Sequence, residues 1–284
     1  MNFILMEMTH LRYWMPLVIE GNSRGLQSTF FVGASGKYNC PTRFATLLEE
    51  ISKEHNINMK SLSQISSAKG LMFSSEKTGV NYLDSLSNCK KVICTYQTDF
   101  IESYKTYAEK ADHILMPSEF CADFYDRKSE KNLYLGIPKY DIELDNSAII
   151  DKYSLPDKKR ALIILPKGRD YRGELLAKTS TFLVSLGYTL LFKTRGKDPY
   201  KTIKFETGNK KNISFLEVVK QTNNFYFEDD SWFPHTTQEL LKVSDIAINF
   251  GSTTIEECVM QSVPLINFDV KPTFRNGSDR PYRI

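Results

Sequence analysis

Apolar residues along this chain fall into two kinds of pattern: short runs of four to six that are apolar throughout, and longer stretches with apolar positions at helical spacing. The two kinds alternate. Residues 2–6 form the first run, and residues 10–20 follow with Leu11, Trp14, Met15, Val18 and Ile19 on one helical face, ended by the stretch from Asn22 to Gly25. Residues 28–32 are a second run, 33–36 a loop, and 42–55 a helix whose Phe44, Leu47, Leu48 and Ile51 share a face. Farther on, residues 91–96, 113–117 and 132–135 read as strands, with a helix over 102–111. Strands that are apolar on both faces, alternating with helices, predict a parallel sheet with crossover helices.

From residue 141 to 160 the chain turns polar and irregular, with Pro156 and the run Asp157-Lys158-Lys159-Arg160, which reads as a linker and a new start. A second series follows. Strands are expected at 160–165, 188–193, 224–227, 245–250 and 264–268, and helices at 173–186, 214–221, 237–243 and 254–261, with Gly187 closing the first of these helices. The pattern predicts an α/β chain of two doubly wound domains, 1–145 and 146–284. No short-period repeat or low-complexity tract interrupts it.

Composition narrows the class further. At 284 residues and 41% hydrophobic content the chain has material for one large or two medium cores, which excludes disordered and fibrous classes. The formal net charge is +3 and both signs are mixed along the chain, so a nucleic-acid partner is disfavoured, while a local phosphate site is not. Five cysteines with no Cys-x-x-Cys pair suggest neither a disulfide framework nor a zinc knuckle, and a reducing cytoplasm fits them best. The N-terminus lacks a basic region before its apolar run, which stops at Glu7, so it reads as a core strand and not a signal peptide. No stretch of about 18 apolar residues exists to span a bilayer; any membrane contact is expected to be peripheral.

Ligands of doubly wound sheets bind beyond the carboxyl ends of the strands, so residues just after each strand carry the candidate chemistry. After residues 160–165 come Pro166, Lys167, Gly168 and Arg169; after Lys193, which ends the next strand, come Thr194, Arg195 and Gly196. Lys167, Arg169, Lys193 and Arg195 are candidate phosphate ligands, with glycines admitting backbone amides; solvated basic turns are the alternative. The densest feature is the stretch from Phe250 to Asp269. Gly251 makes a turn, and Ser252, Thr253 and Thr254 open a helix, placing hydroxyls and unpaired N–H groups at the positive end of its dipole. Ordinary N-capping is the competing account. Glu256 and Glu257 follow, one to cap the helix and the other to accept hydrogen bonds from a ribose diol.

This order of strand, Gly-Ser/Thr turn, helix with Glu, Pro and strand, preceded by TQELLKVSDIAINF, resembles the nucleotide-binding half of GT-B glycosyltransferases, and MPSEF (116–120) with YLGIP (134–138) resembles the end of their first domain. The resemblance implies two Rossmann-like domains facing across a cleft. It also implies that the Glu seven residues before the Pro of the final strand, Glu257 before Pro264, binds the donor ribose. Retaining members with a Glu-x7-Glu pattern carry a second Glu where this chain has Asn249, which argues against that subgroup and leaves the stereochemical outcome open. FGSTTIEE (250–257) is also similar to the SGG-x-x-EE stretch of UDP-N-acetylglucosamine 2-epimerases, whose following Arg-x-x-Thr-Glu-Arg-Pro-Glu is replaced here by residues 268–273. CDP-glycerol-type glycerophosphotransferases place Ser/Thr and basic residues in the same way. Only residues 271–284 follow the last strand, where GT-B chains add a helix returning to the first domain, so a minimal or truncated form is expected.

The first domain is then expected to hold the acceptor. Glu7 and His10 follow the first strand and Asp99 follows the strand at 91–96; a carboxylate or imidazole there is placed to deprotonate an acceptor hydroxyl. For His10 and Asp99 a plain helix-terminal role is the alternative. His235 precedes Thr236 and Glu239, which fit a capping box, and is a candidate donor contact. Glu228-Asp229-Asp230 is not expected to be a metal site, and no metal or cofactor is expected. Trp14, Tyr13, Trp232 and Phe233 read as core or rim, and His55 and His113 as surface and strand-edge residues. The expected activity is metal-independent transfer of a sugar from a nucleotide-sugar donor to a saccharide or lipid-linked acceptor, in surface polysaccharide or glycolipid synthesis at the inner face of the cytoplasmic membrane. The alternatives are the epimerase or glycerophosphotransferase reaction, and a non-catalytic nucleotide-binding or scaffold protein that keeps the fold.

Overall fold

The structure is a computed structural model, and it describes residues 1–34, 41–76, 78–95, 108–124, 126–165, 173–193, 204–206, 212–214, 224–227, 232–250 and 254–268. Its contacts divide the chain into two compact units, Met1–Ile142 and Glu143–Ile284.

Unit 1 is built from β1 (Asn2–Leu5), α1 (Leu11–Ser23), β2 (Ser28–Val32), α2 (Ala45–Glu54), β3 (Ile57–Ser61), β4 (Gly70–Ser75), β5 (Cys89–Cys94), β6 (His113–Met116), α3 (Glu119–Phe124) and β7 (Asn132–Tyr134). Its strands form one parallel sheet in the order β3-β2-β1-β4-β5-β6-β7. β1 explains why the sheet is covered on both sides. Phe3 packs against Trp14, Phe30 and Phe73 at 5.7, 5.5 and 4.9 Å between ring centroids. Ile4 and Met6, pointing the other way, join Phe31, Leu62, Met72, Ile93 and Ile114. The indole N–H of Trp14 donates to the Ile4 carbonyl at 3.2 Å, so the largest core side chain buries no unpaired donor.

Unit 2 contains α4 (Asn146–Lys152), β8 (Arg160–Ile164), α5 (Gly173–Ser185), β9 (Thr189–Lys193), β10 (Lys204–Glu206), β11 (Asn212–Ser214), β12 (Asn224–Phe227), α6 (Thr236–Lys242), β13 (Ile246–Asn249), α7 (Ile255–Met260) and β14 (Leu265–Asn267). Five parallel strands run in the order β12-β9-β8-β13-β14, and β10 and β11 form a separate antiparallel pair. The period of two along β8 sends Ala161 and Ile163 to a core with Leu176, Leu183 and Phe192, and Leu162 and Ile164 to a second core with Ile149, Leu240, Leu241 and Cys258.

Several expectations are corrected. β3 and β4 are strands that hydrophobic patterning does not mark, because Ser74 and Ser75 are buried at the end of β4; the Ser74 hydroxyl donates to the Ser75 and Thr78 carbonyls at 3.3 Å. The polar stretch taken as a linker contains α4, capped by Asp145, whose carboxylate accepts from Ser147 N–H at 2.8 Å. Ser214, expected to open a helix, ends β11, and residues 215–223 lie outside the described residues. Among the described residues no helix is long and apolar enough to cross a membrane.

Candidate functional site

In a doubly wound sheet the carboxyl ends of the two strands flanking the reversal of strand order open a crevice for ligand. In unit 2 those strands are β8 and β13, and in unit 1 they are β1 and β4. The sheet edge in unit 2 is closed by backbone bonds from Leu165 N–H to the Lys193 carbonyl (3.1 Å), Phe250 N–H to Ile164 (3.3 Å) and Phe268 N–H to Asn249 (2.9 Å).

Around that edge the structure brings four of the expected donor residues. Lys193 is buried at the end of β9, with Ile164 and Phe227 as its register partners. Thr254 is buried at the N-cap of α7, and its hydroxyl does not cap the helix. Glu257 follows on α7 and is only 7% exposed, whereas Glu256, one residue earlier, faces solvent. His235 is buried immediately before α6, and its carbonyl accepts from Gln238 N–H at 2.8 Å and Glu239 N–H at 3.1 Å. Lys167, Arg169, Arg195, Gly251, Ser252 and Thr253 lie outside the described residues, as do Asp99 of unit 1 and the 228–230 acidic run. The capping box is absent: the residue at the N-cap is His235, and the Glu239 carboxylate is held by Lys152 and Tyr153 instead of reaching back to the helix start.

Two buried residues, Cys258 on α7 and Asn249 at the end of β13, flank this stretch of chain. Cys258 is fully buried, and that burial, followed by the negative charge of Glu257, pushes its thiol up to about 12. A thiol held neutral in this way is no nucleophile. Asn249, also without exposure, donates from Nδ2 to Asn267 Oδ1 at 2.8 Å and so joins β13 to β14.

In unit 1, Glu7 and His10 sit on one turn beyond β1. The His10 N–H donates to the Glu7 carbonyl at 3.0 Å, the Thr9 hydroxyl donates to Glu7 Oε2 at 3.2 Å, and the His10 ring lies 5.9 Å from that of Trp14. His10 is 1% exposed and occupies the N-cap position of α1 without a side-chain cap bond. One residue past β4, the other strand at the reversal, stands a group that sequence reading missed. Glu76 pairs with Arg127 at 3.7 Å between Oε2 and Nη1, and both residues are buried. Its signal lay hidden with β4, since a carboxylate after an unrecognised strand reads as loop. A shallow cavity lined by Ile19, Asn22, Leu26, Gln27, Glu54 and His55 lies where β2 and β3 begin, at the opposite edge of the sheet.

No protein-family model and no curated protein sequence matches the chain. Solved structures do. A structure named for UDP-N-acetylglucosamine 2-epimerase from Listeria monocytogenes superposes with a TM-score of 0.60 at 12% identity, over 93% of this chain and 77% of its own. The wall teichoic acid polymerase TagF with CDP-glycerol gives 0.55 at 13%, over 94% and 69%. HepE from Anabaena in complex with UDP-glucose gives 0.51 at 8%, over 94% and 79%. The fold is the GT-B fold. The likeness covers more than nine-tenths of the chain and so runs through both units.

Proposed function

We propose that the chain is a GT-B glycosyltransferase that moves a sugar from a nucleotide-activated donor to a hydroxyl acceptor. The observation that carries this reading is the fold likeness over more than nine-tenths of the chain to structures that hold UDP-glucose or CDP-glycerol. The donor lies at the carboxyl ends of β8 and β13. Glu257 accepts hydrogen bonds from the ribose diol, and Lys167, Arg169, Lys193, Arg195 and the stretch from Gly251 to Thr254 meet the phosphates, with His235 beside them. In the reaction the bond between the sugar anomeric carbon and the phosphate oxygen breaks and one to the acceptor oxygen forms. The acceptor proton passes to a base of unit 1, for which His10, Glu7 and Asp99 are the candidates, and the nucleotide leaves with the bonding electrons. Basic side chains and backbone N–H groups aimed at the leaving phosphate supply the charge stabilisation, without need of a metal.

The same site serves an epimerase or a glycerophosphotransferase equally well, and the fate of the donor separates them. Thermal-shift screening with millimolar UDP, GDP, CDP, CMP and ADP tests the core of the reading. Stabilisation by one nucleotide, removed by Glu257→Ala, supports it; no shift with any of them defeats it. Incubation with the matching UDP-sugar or CDP-glycerol then distinguishes released nucleotide from an epimerised sugar.

A further inference from the structure

Glu239 plays no part in the site as described, yet its buried carboxylate accepts three hydrogen bonds. It accepts from Lys152 Nζ at 2.8 and 2.9 Å and from the Tyr153 hydroxyl at 2.5 Å, and its side chain is 5% exposed. Lys152 ends α4, the first helix of the unit. The Tyr153 ring stands edge-on to Phe227 at 5.1 Å and 76°. Phe227 closes β12 and is the register partner of Lys193. On its other side the first turn of α6 is tied to α7: Gln261 Nε2 donates to the Gln238 carbonyl at 3.1 Å, and the Gln261 N–H donates to the carbonyl of Glu257, also at 3.1 Å. Directed bonds thus run from α4 through α6 to the helix that carries Glu257.

Stability alone does not call for a carboxylate here. Leu240, Leu241 and Ile149 surround this part of the unit, and replacing a buried ion pair with apolar side chains of similar volume is often neutral or favourable. An apolar residue fills space but fixes no direction, whereas three hydrogen bonds from Lys152 and Tyr153 to one carboxylate set the position of the α6 turn that presents His235. We propose that Glu239, gripped by Lys152 and Tyr153, is a positioning residue for the nucleotide site, a role that rests on the nucleotide reading above. It holds the α6 turn against α4 and the carboxyl end of β12, and through Gln238 and Gln261 it steadies α7.

The test is calorimetric titration at 25 °C of the intact chain with whichever of UDP, GDP, CDP, CMP or ADP stabilises it most. Glu239→Gln and Lys152→Met are expected to weaken binding by about fivefold to tenfold, and Lys152→Arg to stay within about twofold of wild type. Lys152 is 45% exposed, so its variants test the clasp without opening the core. Circular dichroism shows whether each variant is folded. Folded variants that bind as the wild type does, with or without a lower melting temperature, overturn the positioning role and leave the nucleotide reading standing. A wild-type chain that binds none of the five overturns both.

Discussion

Glu256 and Glu257 are chemically identical neighbours that the fold separates: one faces solvent, and the other turns in beside Cys258. If Glu257 accepts from a ribose diol, exchanging its charge for an amide weakens two charge-assisted bonds and leaves the volume unchanged. Glu257→Gln is therefore expected to raise the nucleotide Kd about tenfold, and Glu256→Gln to leave it within about twofold, as titration calorimetry would measure. Cys258, one residue on, lies in a core of unit 2 and reports on the packing of α7. Its folded thiol is pushed up to about 12, while the unfolded thiol ionises near its ordinary value of 9.0. The unfolded state thus loses its proton first, and stability falls as pH rises through that window; below it the thiol contributes no pH dependence. Urea unfolding at pH 7.5, 9 and 10 should show the difference between wild type and Cys258→Ala constant at the low end and then shrinking by about 1.4 kcal/mol per pH unit. A constant difference across the range would mean the thiol is not buried as described. The place of Glu257 on a helix after β13 was legible in the sequence because an apolar strand, a glycine and a helical stretch follow one another there in unbroken order. Glu76 and the Asn249–Asn267 pair were not, since polar side chains at strand ends look like loop until the partner that satisfies them is known.

Elements were legible where their boundaries are written in local chemistry. The end of α5 is one case: Tyr188 N–H donates to the Leu183 carbonyl at 3.1 Å and Gly187 N–H to Val184 at 2.9 Å, the paired bonds of a Schellman stop, with Gly187 at φ +82°. The helix end predicted at Gly187 follows from that geometry. β3 and β4 escaped because neither carries an apolar run long enough to stand out; β4 lies between β1 and β5 and follows its buried Met72 and Phe73 with buried serines. The turn after β4 is correspondingly unforgiving. Gly79 has φ +92°, and a Cβ there would stand 2.8 Å from Ile4 Cγ2 and 2.9 Å from the Ser74 hydroxyl. A Cβ at Gly187 meets nothing within 4 Å. Gly79→Ala is expected to cost about 2–4 kcal/mol, backbone strain plus overlap, and Gly187→Ala about 1 kcal/mol from strain alone. Equal losses in chemical denaturation would mean that the β4 turn yields more easily than its packing indicates.

At the scale of the whole molecule, the cluster around Ile4 draws on unit 1 and the clusters around Ile163 and Leu162 draw on unit 2, so each unit has a core of its own to lose. Independent cores predict independent unfolding. The chain's two tryptophans supply a reporter in each: Trp14 is buried in unit 1 and Trp232 in unit 2. In Trp232→Phe, fluorescence follows unit 1, and in Trp14→Phe it follows unit 2. The core substitution Ile4→Ala, a truncation expected to cost about 2–5 kcal/mol, should lower the urea midpoint seen by Trp14 and leave that seen by Trp232; Ile163→Ala should do the reverse. A nucleotide bound at the ends of β8 and β13 stabilises only the unit that contains them. At about 100 times its Kd it should add about 2.7 kcal/mol to the transition reported by Trp232. If the Trp14 transition moves by as much, the two units unfold as one and the nucleotide's effect spans both. If the Trp14 transition alone moves, the nucleotide site belongs to unit 1 and not to the strand reversal of unit 2.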